Sequence, residues 1–345
     1  MGDVRIGTSG WNYPSGKGTW NGVFYPKPRP KGFDELAFYA EHFDTVEVNS
    51  TFYGQPRVDV SRAWAKRTPP GFEFSVKLYQ KFTHPRMAEE RLRRSVPEAR
   101  ERSARGSSER EGASEASGGG APRENKNDDL VPILVRPNQT DLDEFRRGIE
   151  PLASSGKLGA LLAQFPASFK DTPASRESLA ELLRALGDYP VAVELRHKSW
   201  SDQIGETLTL LNGFGAAWVQ IDEPKFRFSI RQNYLPNVQG FYYMRLHGRN
   251  VEKWWRHDKA EDRYDYLYSS EELKEFSETA GAAKRLVKKL YLYTNNHFSA
   301  KSVANAAMIK QQLGEPIDGE YPPEFLERYP ELKGAVKVRS SLLRA

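Results

Sequence analysis

Ionisable and amide side chains recur in this sequence directly after short apolar runs. The stretch TVEVNSTFY (Thr45–Tyr53) shows the pattern, because Val46 and Val48 alternate with Glu47 and Asn49 in a predicted strand that ends there. A carboxylate at such a position is either buried in an ion pair or takes part in chemistry. Further polar side chains at predicted strand ends are Ser9, Trp11, Lys77, His84, Gln164, Glu194, Arg196, Asp222, Arg245, His247, Arg249, Asn295, Asn296 and His297.

Two of these carboxylates, Glu47 and Glu194, are the main candidates for acid/base catalysis. Two carboxylates in one pocket can divide the roles of acid and base when their surroundings separate their pKa values. The alternative is that each glutamate forms a structural ion pair, for instance Glu194 with Arg196 or Lys77. The complete predicted catalytic set is Glu47, Glu194, Lys77, Asp222 and His247.

The neighbouring basic and amide side chains predict a small polar or anionic ligand. Lys77, Arg196, Arg245 and Arg249 would form an anion cradle, and a helix N-terminus near Ser299 would help to hold a phosphate. The alternative is that Arg245 packs within its strand and only Arg249 is exposed. The predicted ligand-binding residues are Trp11, Asn49, Tyr53, His84, Gln164, Arg196, Arg245, Arg249, Asn295 and Asn296.

No metal site and no particular cofactor are predicted. Glu47, Asp222, His247 and His297 are potential ligands, but the six histidines show no HxH or HExxH spacing. No GxGxxG follows the first predicted strand, and there is no P-loop and no GxSxG elbow. The absence of cysteine excludes thiol catalysis and thiolate metal sites.

Charge and composition bear on partners and location. The 345 residues include 51 Lys and Arg against 46 Asp and Glu, mostly interspersed, so nucleic acid is a conceivable but not a favoured partner. The first residues are too polar for a signal peptide, and no run approaches the roughly 18 apolar residues of a membrane span. We therefore expect a cytoplasmic protein with no membrane partner. The oligomeric state is not indicated.

The candidate residues need elements that bring them together. Apolar alternation and apolar runs predict eight strands, and i, i+3, i+4 spacings such as Leu36, Tyr39 and Ala40 predict helices between them. This alternation predicts a single α/β domain, a (β/α)8 barrel, with the candidate residues at its C-terminal mouth. The predicted strands are Val4–Ser9, the strand that carries Glu47, Phe72–Val76, Leu158–Phe165, Val191–Leu195, Ala217–Ile221, Tyr242–Leu246 and Leu290–Thr294.

Several residues mark helix ends. Ser269 and Glu272 have the spacing of a capping box ahead of a helix. Gly187 is predicted to end an earlier helix as a left-handed C-cap. The last barrel helix is predicted to run from Ser299 to Leu313.

One segment interrupts the alternation between the third and fourth strands. Residues Glu101–Lys126 contain no aromatic residue and no Val, Ile, Leu or Met. Such a segment cannot offset the entropy of ordering, so we predict a disordered surface insertion at about residues 93–130. The barrel domain is predicted to cover residues 1–315 and a C-terminal extension residues 316–345.

Eight stretches resemble one family, the YecE-like proteins, also called domain of unknown function 72. The resemblance runs from about Val4 to Leu313 and implies a TIM barrel, but it implies no established reaction. The matching stretches are IGTSGWNY (Ile6–Tyr13), FYP (Phe24–Pro26), TVEVNSTFYGQP (Thr45–Pro56), FEFSVKLYQKFTH (Phe72–His84), LGALLAQFP (Leu158–Pro166), VAVELRHKSW (Val191–Trp200), YMRLHGR (Tyr243–Arg249) and NNHFSAKSVANA (Asn295–Ala306).

Three kinds of function follow from these observations. An enzyme that acts on a phosphorylated or sugar-like compound by acid/base chemistry is favoured. The second is a metal-dependent barrel that acts on nucleic acid. The third is a non-catalytic interaction protein that uses the insertion around residues 101–126.

Overall fold

Eight parallel strands form a closed barrel. The computed structural model describes residues 2–95, 136–232, 240–255 and 260–339. The strands pair in sequence order, and the last pairs with the first, which confirms the predicted barrel. They are β1 (Asp3–Ser9), β2 (Thr45–Val48), β3 (Glu73–Lys77), β4 (Leu158–Gln164), β5 (Val191–Glu194), β6 (Ala217–Asp222), β7 (Tyr242–Leu246) and β8 (Lys289–Thr294).

Helices follow most of the strands and cover the outside of the barrel. On the longest of them, Phe145, Ile149 and Leu152 are fully buried, as their spacing predicts. None of the helices in the described ranges has the length and apolar character needed to cross a bilayer. The helices are α1 (Glu35–Ala40), α2 (Val58–Lys66), α3 (Gln80–Thr83), α4 (Pro85–Ser95), α5 (Gln139–Ser154), α6 (Pro173–Ala185), α7 (Ser199–Asp202), α8 (Ile204–Gly213), α9 (Val251–Trp255), α10 (Ser270–Ala283), α11 (Lys301–Leu313) and α12 (Pro323–Arg328).

The connection between β6 and β7 departs from the predicted alternation. Its described residues, 223–232 and 240–241, contain no helix. The short strand β5 pairs with β6 only as far as Trp218. Beyond that point the side-chain amide of Gln232 takes the place of a strand: its Nε2 donates to the carbonyl of Val219 at 2.7 Å, and its Oε1 accepts from the N–H of Ile221 at 2.8 Å. A side chain thus completes part of the hydrogen bonding along β6.

Polar side chains occupy much of the barrel interior. The hydroxyl of Tyr293 is 2.6 Å from Thr45 Oγ1 and 2.9 Å from Ser75 Oγ. The hydroxyl of Tyr291 donates to Glu73 Oε2 at 2.6 Å. These buried groups are satisfied by one another, so that the interior can be polar without a large desolvation cost.

Of the three predicted helix ends, one is confirmed and two are wrong. The capping box is confirmed, because Ser269 Oγ accepts from the N–H of Glu272 and the Glu272 carboxylate accepts from the N–H of Ser269. The left-handed cap at Gly187 is wrong, since α6 is capped by Leu186 at φ −105° and Gly187 does not have a positive φ. The predicted helix start at Ser299 is also wrong. Ser299 and Ala300 adopt φ of 53° and 62°, and α11 begins after them.

The predicted insertion lies between β3 and β4. Helix α4 extends to Ser95 and α5 begins at Gln139, so the prediction of disorder for residues 101–126 concerns a part of the chain outside the described residues. After α11, Phe325 of α12 packs against Phe24, with ring centres 6.0 Å apart. The predicted C-terminal extension also contains the short parallel pair β9 (Glu320–Tyr321) and β10 (Lys337–Val338).

Candidate active site at the barrel mouth

The guanidinium of Arg245 lies at the centre of the candidate site. Strand β7 places it inside the barrel, where the residue is 1% exposed. Its Nη2 donates to Glu47 Oε1 at 2.6 Å, and its Nη1 donates to Glu194 Oε2 and, at 3.1 Å, to Gln164 Oε1. One side chain therefore joins β2, β4, β5 and β7.

The carboxylate of Glu47 is fully buried and ionised. Burial by itself would raise its pKa, but the charge of Arg245 and hydrogen bonds from Arg245, Tyr243 and Ser9 lower the pKa below its ordinary value. Tyr243 donates to Oε2 at 2.7 Å and Ser9 to Oε1 at 2.8 Å. A carboxylate held in this way is a fixed negative charge.

Glu194 is in the same state on the opposite side of Arg245. Burial favours its neutral form, but the charges of Arg245 and Arg196 bring its pKa well below the ordinary value. Arg196 Nη2 lies 2.6 Å from Glu194 Oε1. Both glutamates therefore form the ion pairs that the sequence left as an alternative to catalysis.

Lys77 is held differently from the arginines. Its Nζ donates to Gln164 Oε1 at 2.9 Å and lies 4.2 Å from the ring centre of Phe52. Burial lowers the pKa of Lys77 to about 7, and the charge of Arg245 adds to this effect, while Glu194 opposes it. The residue as a whole remains partly exposed. At neutral pH a large share of the Lys77 amines is uncharged, and this form can accept a proton.

His247, at the end of β7, is a neutral imidazole. Burial and the charge of Arg245 lower its pKa to about 3. Its Nδ1 is 2.9 Å from Asn295 Nδ2, and its Nε2 is 3.3 Å from Arg196 Nη2 and 3.6 Å from Glu194 Oε1. His247 and Asn295 therefore belong to the same cluster as the glutamates.

Asp222 forms a second group of contacts with Arg249. Arg249 Nε donates to Asp222 Oδ2 at 2.8 Å, and the same oxygen accepts from the hydroxyl of Tyr268 at 2.6 Å. Arg249 also donates to Glu275 at 2.5 Å. Glu223, the residue after Asp222, connects this second group of contacts to the side chains around Arg245.

Glu223 was not among the predicted site residues. It is 6% exposed, and its Oε2 lies 3.0 Å from Arg196 Nη1. Burial raises its pKa, while the charge of Arg196 opposes this. The available signal was its place directly after Asp222, at the end of a strand whose residues are all buried.

The three arginines of the predicted anion cradle, but not its Lys77, are paired with the protein's own carboxylates. Arg245 pairs with Glu47 and Glu194, Arg196 pairs with Glu194 and Glu223, and Arg249 pairs with Asp222 and Glu275. Their positive charges are therefore balanced within the protein.

The predicted phosphate position at the start of the last barrel helix is covered. Ala300 and Ser302 are 0% exposed and Ser299 is 5% exposed. The hydroxyl of Tyr329, from the C-terminal segment, donates to the carbonyl of Ser299. A helix N-terminus can bind phosphate only where its N–H groups are accessible, so the geometry does not support a phosphate there.

The remaining predicted ligand-binding residues differ in their contacts and in their exposure. Asn49 Nδ2 donates to Glu47 Oε1 at 3.3 Å, and within the described residues its buried Oδ1 has no hydrogen-bond partner. Tyr53 is 61% exposed. The ring of His84 meets the edge of Phe52 at 4.9 Å, the ring that Lys77 also contacts.

Trp11 and Asn296 have structural contacts. Trp11 packs edge-on against Trp64, with ring centres 5.6 Å apart. Asn296 is 0% exposed, and its Nδ2 donates to the carbonyl of Tyr266 and to Asn305 Oδ1. The structure thus does not bring the side chain of Asn296 into the cluster around Arg245.

An aromatic stack at the mouth was also missed by the sequence reasoning. Tyr13 stacks on His297 with ring centres 4.3 Å apart, and Tyr264 lies on the same imidazole at 4.9 Å. Burial lowers the pKa of His297 to about 4. By its sequence position His297 is a potential metal ligand. Across the described ranges, no three His, Cys, Asp or Glu side chains are grouped as a metal site would require.

Comparisons with known proteins agree with this architecture. The sequence model of the family described as "Protein of unknown function DUF72" matches residues 5–327, which is most of the chain. The chain belongs to the DUF72 family. It is 25% identical to the UPF0759 protein YunF of Bacillus subtilis, over 92% of this chain and 96% of that protein.

Solved structures of DUF72 proteins have the same fold. A DUF72 protein of Thermotoga maritima is 30% identical and has a TM-score of 0.66, over 91% of this chain and all of that one (100%). A DUF72 protein of Enterococcus faecalis is 21% identical and has a TM-score of 0.65, over 91% and 97% of the two chains. The family and the TIM barrel expected from the resemblance are therefore confirmed.

In this DUF72 protein the site draws on every strand of the barrel. Hydrogen bonds and ion pairs connect one side chain to the next around the mouth. Each contributing residue lies in a strand or directly after it. In strand order they are Ser9, Glu47, Lys77, Gln164, Glu194, Glu223, Arg245 and Asn295.

Proposed function

We propose that this DUF72 protein is an enzyme that acts on a small polar compound by acid/base chemistry at the C-terminal mouth of its barrel. The observation that carries the proposal is the connected polar network to which all eight strands contribute. Burying several charges is costly, and well-packed apolar residues would stabilise a barrel at least as well. Enzymes with this fold place their reactive groups at this end. We also propose a cytoplasmic location, which agrees with the absence of cysteine.

The proton-transfer roles fall to residues whose pKa lies near neutral pH or is shifted towards it. Lys77, with a pKa of about 7, is the proton acceptor. Glu223, whose pKa burial raises and the charge of Arg196 lowers, is the second proton-transfer group and acts as the donor when its carboxyl is protonated. Glu47 and Glu194, which remain ionised, hold Arg245 in place. Its paired guanidinium in turn positions Gln164, which holds the amine of Lys77.

The ligand is proposed to be polar and sugar-like. The arginines at the mouth are already paired, so they attract an anion less strongly than their number suggests. The cluster of Tyr13, His297 and Tyr264 provides partly exposed aromatic rings of the kind that bind sugar rings. A phosphorylated ligand would have to displace a carboxylate or use the charge of Lys77.

A thermal-shift screen tests this proposal. Sugars and their phosphate esters are compared on the wild-type protein and on Lys77→Met. A compound that raises the melting temperature of the wild type but not that of the variant supports the site. If every stabilising compound acts equally on both proteins, the ligand binds elsewhere and the proposal is wrong. Lys310→Met is the matched control, because Lys310 is a buried lysine that lies against the carbonyl of His42, away from the mouth.

A further inference from the structure

The amine of Lys77 combines few contacts with partial exposure at the mouth of the barrel. It has one hydrogen-bond acceptor, the neutral side-chain oxygen of Gln164, and one aromatic neighbour, Phe52. Among the described residues, no carboxylate oxygen lies within 4.0 Å of its Nζ. The arginines close to it are paired with Glu47, Glu194 and Glu223, so Lys77 has no carboxylate in direct contact.

Two other lysines differ from Lys77, one in its contacts and the other in its place in the barrel. The Nζ of Lys157 donates to the carbonyls of Ala65 and Thr68 and to Thr68 Oγ1, so its hydrogen-bonding capacity is filled. Lys310 has similarly few contacts, the carbonyl of His42 at 3.5 Å and the ring of Phe43 at 5.3 Å, but it is 5% exposed and lies at the opposite end of the barrel. Lys77, in contrast, is partly exposed and sits at the end of β3, where the active sites of such barrels lie.

We propose that the substrate of this site is a carbonyl compound and that Lys77 Nζ captures it covalently as an imine. The inference rests on the proposed function, because it uses the same mouth and the same lysine, and it adds the chemical class of the substrate. An amine with no carboxylate in direct contact, next to an aromatic ring and an amide, is the setting that makes a lysine nucleophilic.

The step balances without a further reagent. The nitrogen lone pair attacks the carbonyl carbon and forms a C–N bond, while the C=O π electrons move to the oxygen. The nitrogen then loses a proton and the oxygen gains one, which gives a carbinolamine. A second protonation of that oxygen releases it as water, and the nitrogen lone pair forms the C=N bond of an iminium ion, which gives up its N–H proton to leave the neutral imine. Nothing is oxidised or reduced.

The neighbours of Lys77 suit these steps. Gln164 Oε1 accepts a hydrogen bond from the amine and thereby orients it. Arg245 Nη1 donates to the same oxygen at 3.1 Å, so the amide is fixed from both sides. The positive charge of Arg245 disfavours the protonated amine and would also disfavour the iminium. Imine formation is therefore expected to be reversible, as turnover requires.

Trapping with cyanoborohydride tests the proposal on the full chain. The protein is incubated at pH 7 with dihydroxyacetone, a neutral probe, or with pyruvate, an anionic one, and the reduced adducts are located by peptide mass mapping. At this pH an amine with a pKa of about 7 is neutral roughly a thousand times more often than an ordinary lysine. The expected result is an adduct on the peptide that contains Lys77, with dihydroxyacetone reacting faster. The N-terminal amine, with an ordinary pKa near 8, is the internal positive control.

Variants make the test specific. Lys77→Arg keeps a positive charge but cannot form the imine, so the adduct at position 77 should be lost in this variant. The control variant Lys310→Met should retain the adduct on Lys77. Gln164→Glu places a carboxylate beside the amine and should move the pH profile of labelling upwards by about 1–3 units. A merely structural lysine would not respond in this way. An unmoved profile in a folded Gln164→Glu protein would contradict the proposed tuning of the amine.

The outcomes separate this inference from the proposed function. If the N-terminus is labelled but Lys77 is not, the imine is excluded, although ligand binding that depends on Lys77 would still support acid/base chemistry. If Lys77 is labelled and no compound in the thermal-shift screen depends on it, the reactive amine is established and the sugar-like ligand is wrong. Labelling spread evenly over surface lysines would overturn the inference.

Discussion

At the scale of single residues, Arg245 determines the charge state of the mouth. Two buried carboxylates depend on it, and neither can be solvated if it is removed. The same residue lowers the pKa of Lys77 and of His247, so its position affects both proton acceptance and the neutrality of the imidazole. One side chain therefore links the stability of the site to its reactivity.

Replacing Arg245 by methionine should destabilise the protein by about 3–5 kcal/mol, because the variant leaves buried carboxylates without a cation. Urea unfolding followed by circular dichroism measures the change. Adding Glu47→Gln and Glu194→Gln to the variant should recover part of the loss. Arg57→Met, in an exposed pair with Asp59, is the control and should have little effect. A loss no larger than that of the control would show that the buried ion pairs are not energetically coupled to folding.

His247 should make the protein sensitive to acid. Its pKa is about 3 in the folded state against 6.5 in the unfolded chain, so the folded state binds fewer protons between these values. Stability from this group is therefore fully present above pH 6.5 and falls as the pH drops towards 3. At pH 5 the loss is about 2 kcal/mol.

The variant His247→Asn tests this assignment. The free energy of unfolding is measured for wild type and variant at pH 7.5 and pH 5. The wild type should lose about 2 kcal/mol more than the variant over this interval. Equal losses would mean that His247 is already protonated in the folded state or is not buried.

At the scale of elements, the barrel wall depends on a loop as well as on strands. The segment after β6 contributes Gln232, whose amide bonds the backbone of Val219 and Ile221. Neighbouring residues attach the same segment to the end of β5, since the N–H of Ile230 donates to the carbonyl of Arg196 at 2.9 Å. The loop thus holds Arg196 and Glu223 in position, at the side of the barrel where the described residues include no helix.

Gln232→Ala should cost roughly 1–3 kcal/mol of stability, because it leaves one donor and one acceptor of β6 without a partner. Chemical denaturation measures this loss, and hydrogen exchange at the amide of Ile221 should become faster. Gln311→Ala, at an exposed position on α11, is the matched control and should leave both quantities unchanged. Slow exchange at Ile221 in the Gln232→Ala protein would show that another group protects this edge.

At the scale of the whole molecule, the barrel and its mouth form one unit to which all eight strands contribute. The residues between α4 and α5 supply none of the side chains named in this network. Residues 101–126 contain no large apolar side chain, so they can add little to a hydrophobic core.

Deleting residues 101–126 should leave the melting temperature within a few degrees of the full chain. The Lys77-dependent adduct should also persist, because every side chain named in the network lies outside the deleted residues. Differential scanning calorimetry and the trapping assay measure the two effects. Loss of the adduct in a folded deletion variant would favour the view that the insertion takes part in binding, as expected of an interaction protein. A limited-proteolysis experiment in which residues 101–126 resist cleavage would contradict the predicted disorder.

The sequence determined the fold and the rim on which the polar residues lie. Strand alternation such as Val46 and Val48 around Glu47 depends only on local spacing, and it identified which side chains point into the barrel. In a parallel barrel every strand ends at the same face, so the residues at strand ends had to come together.

The tertiary structure decided the partners and hence the protonation states. Glu47 and Arg245 are 198 positions apart, and only closure of the barrel shows that they share hydrogen bonds. The same closure pairs Glu194 and Glu223 with arginines and leaves Lys77 with an amide and an aromatic ring. A pKa depends on charges and burial within a few ångströms, and these distances follow from the packing of remote segments rather than from local sequence.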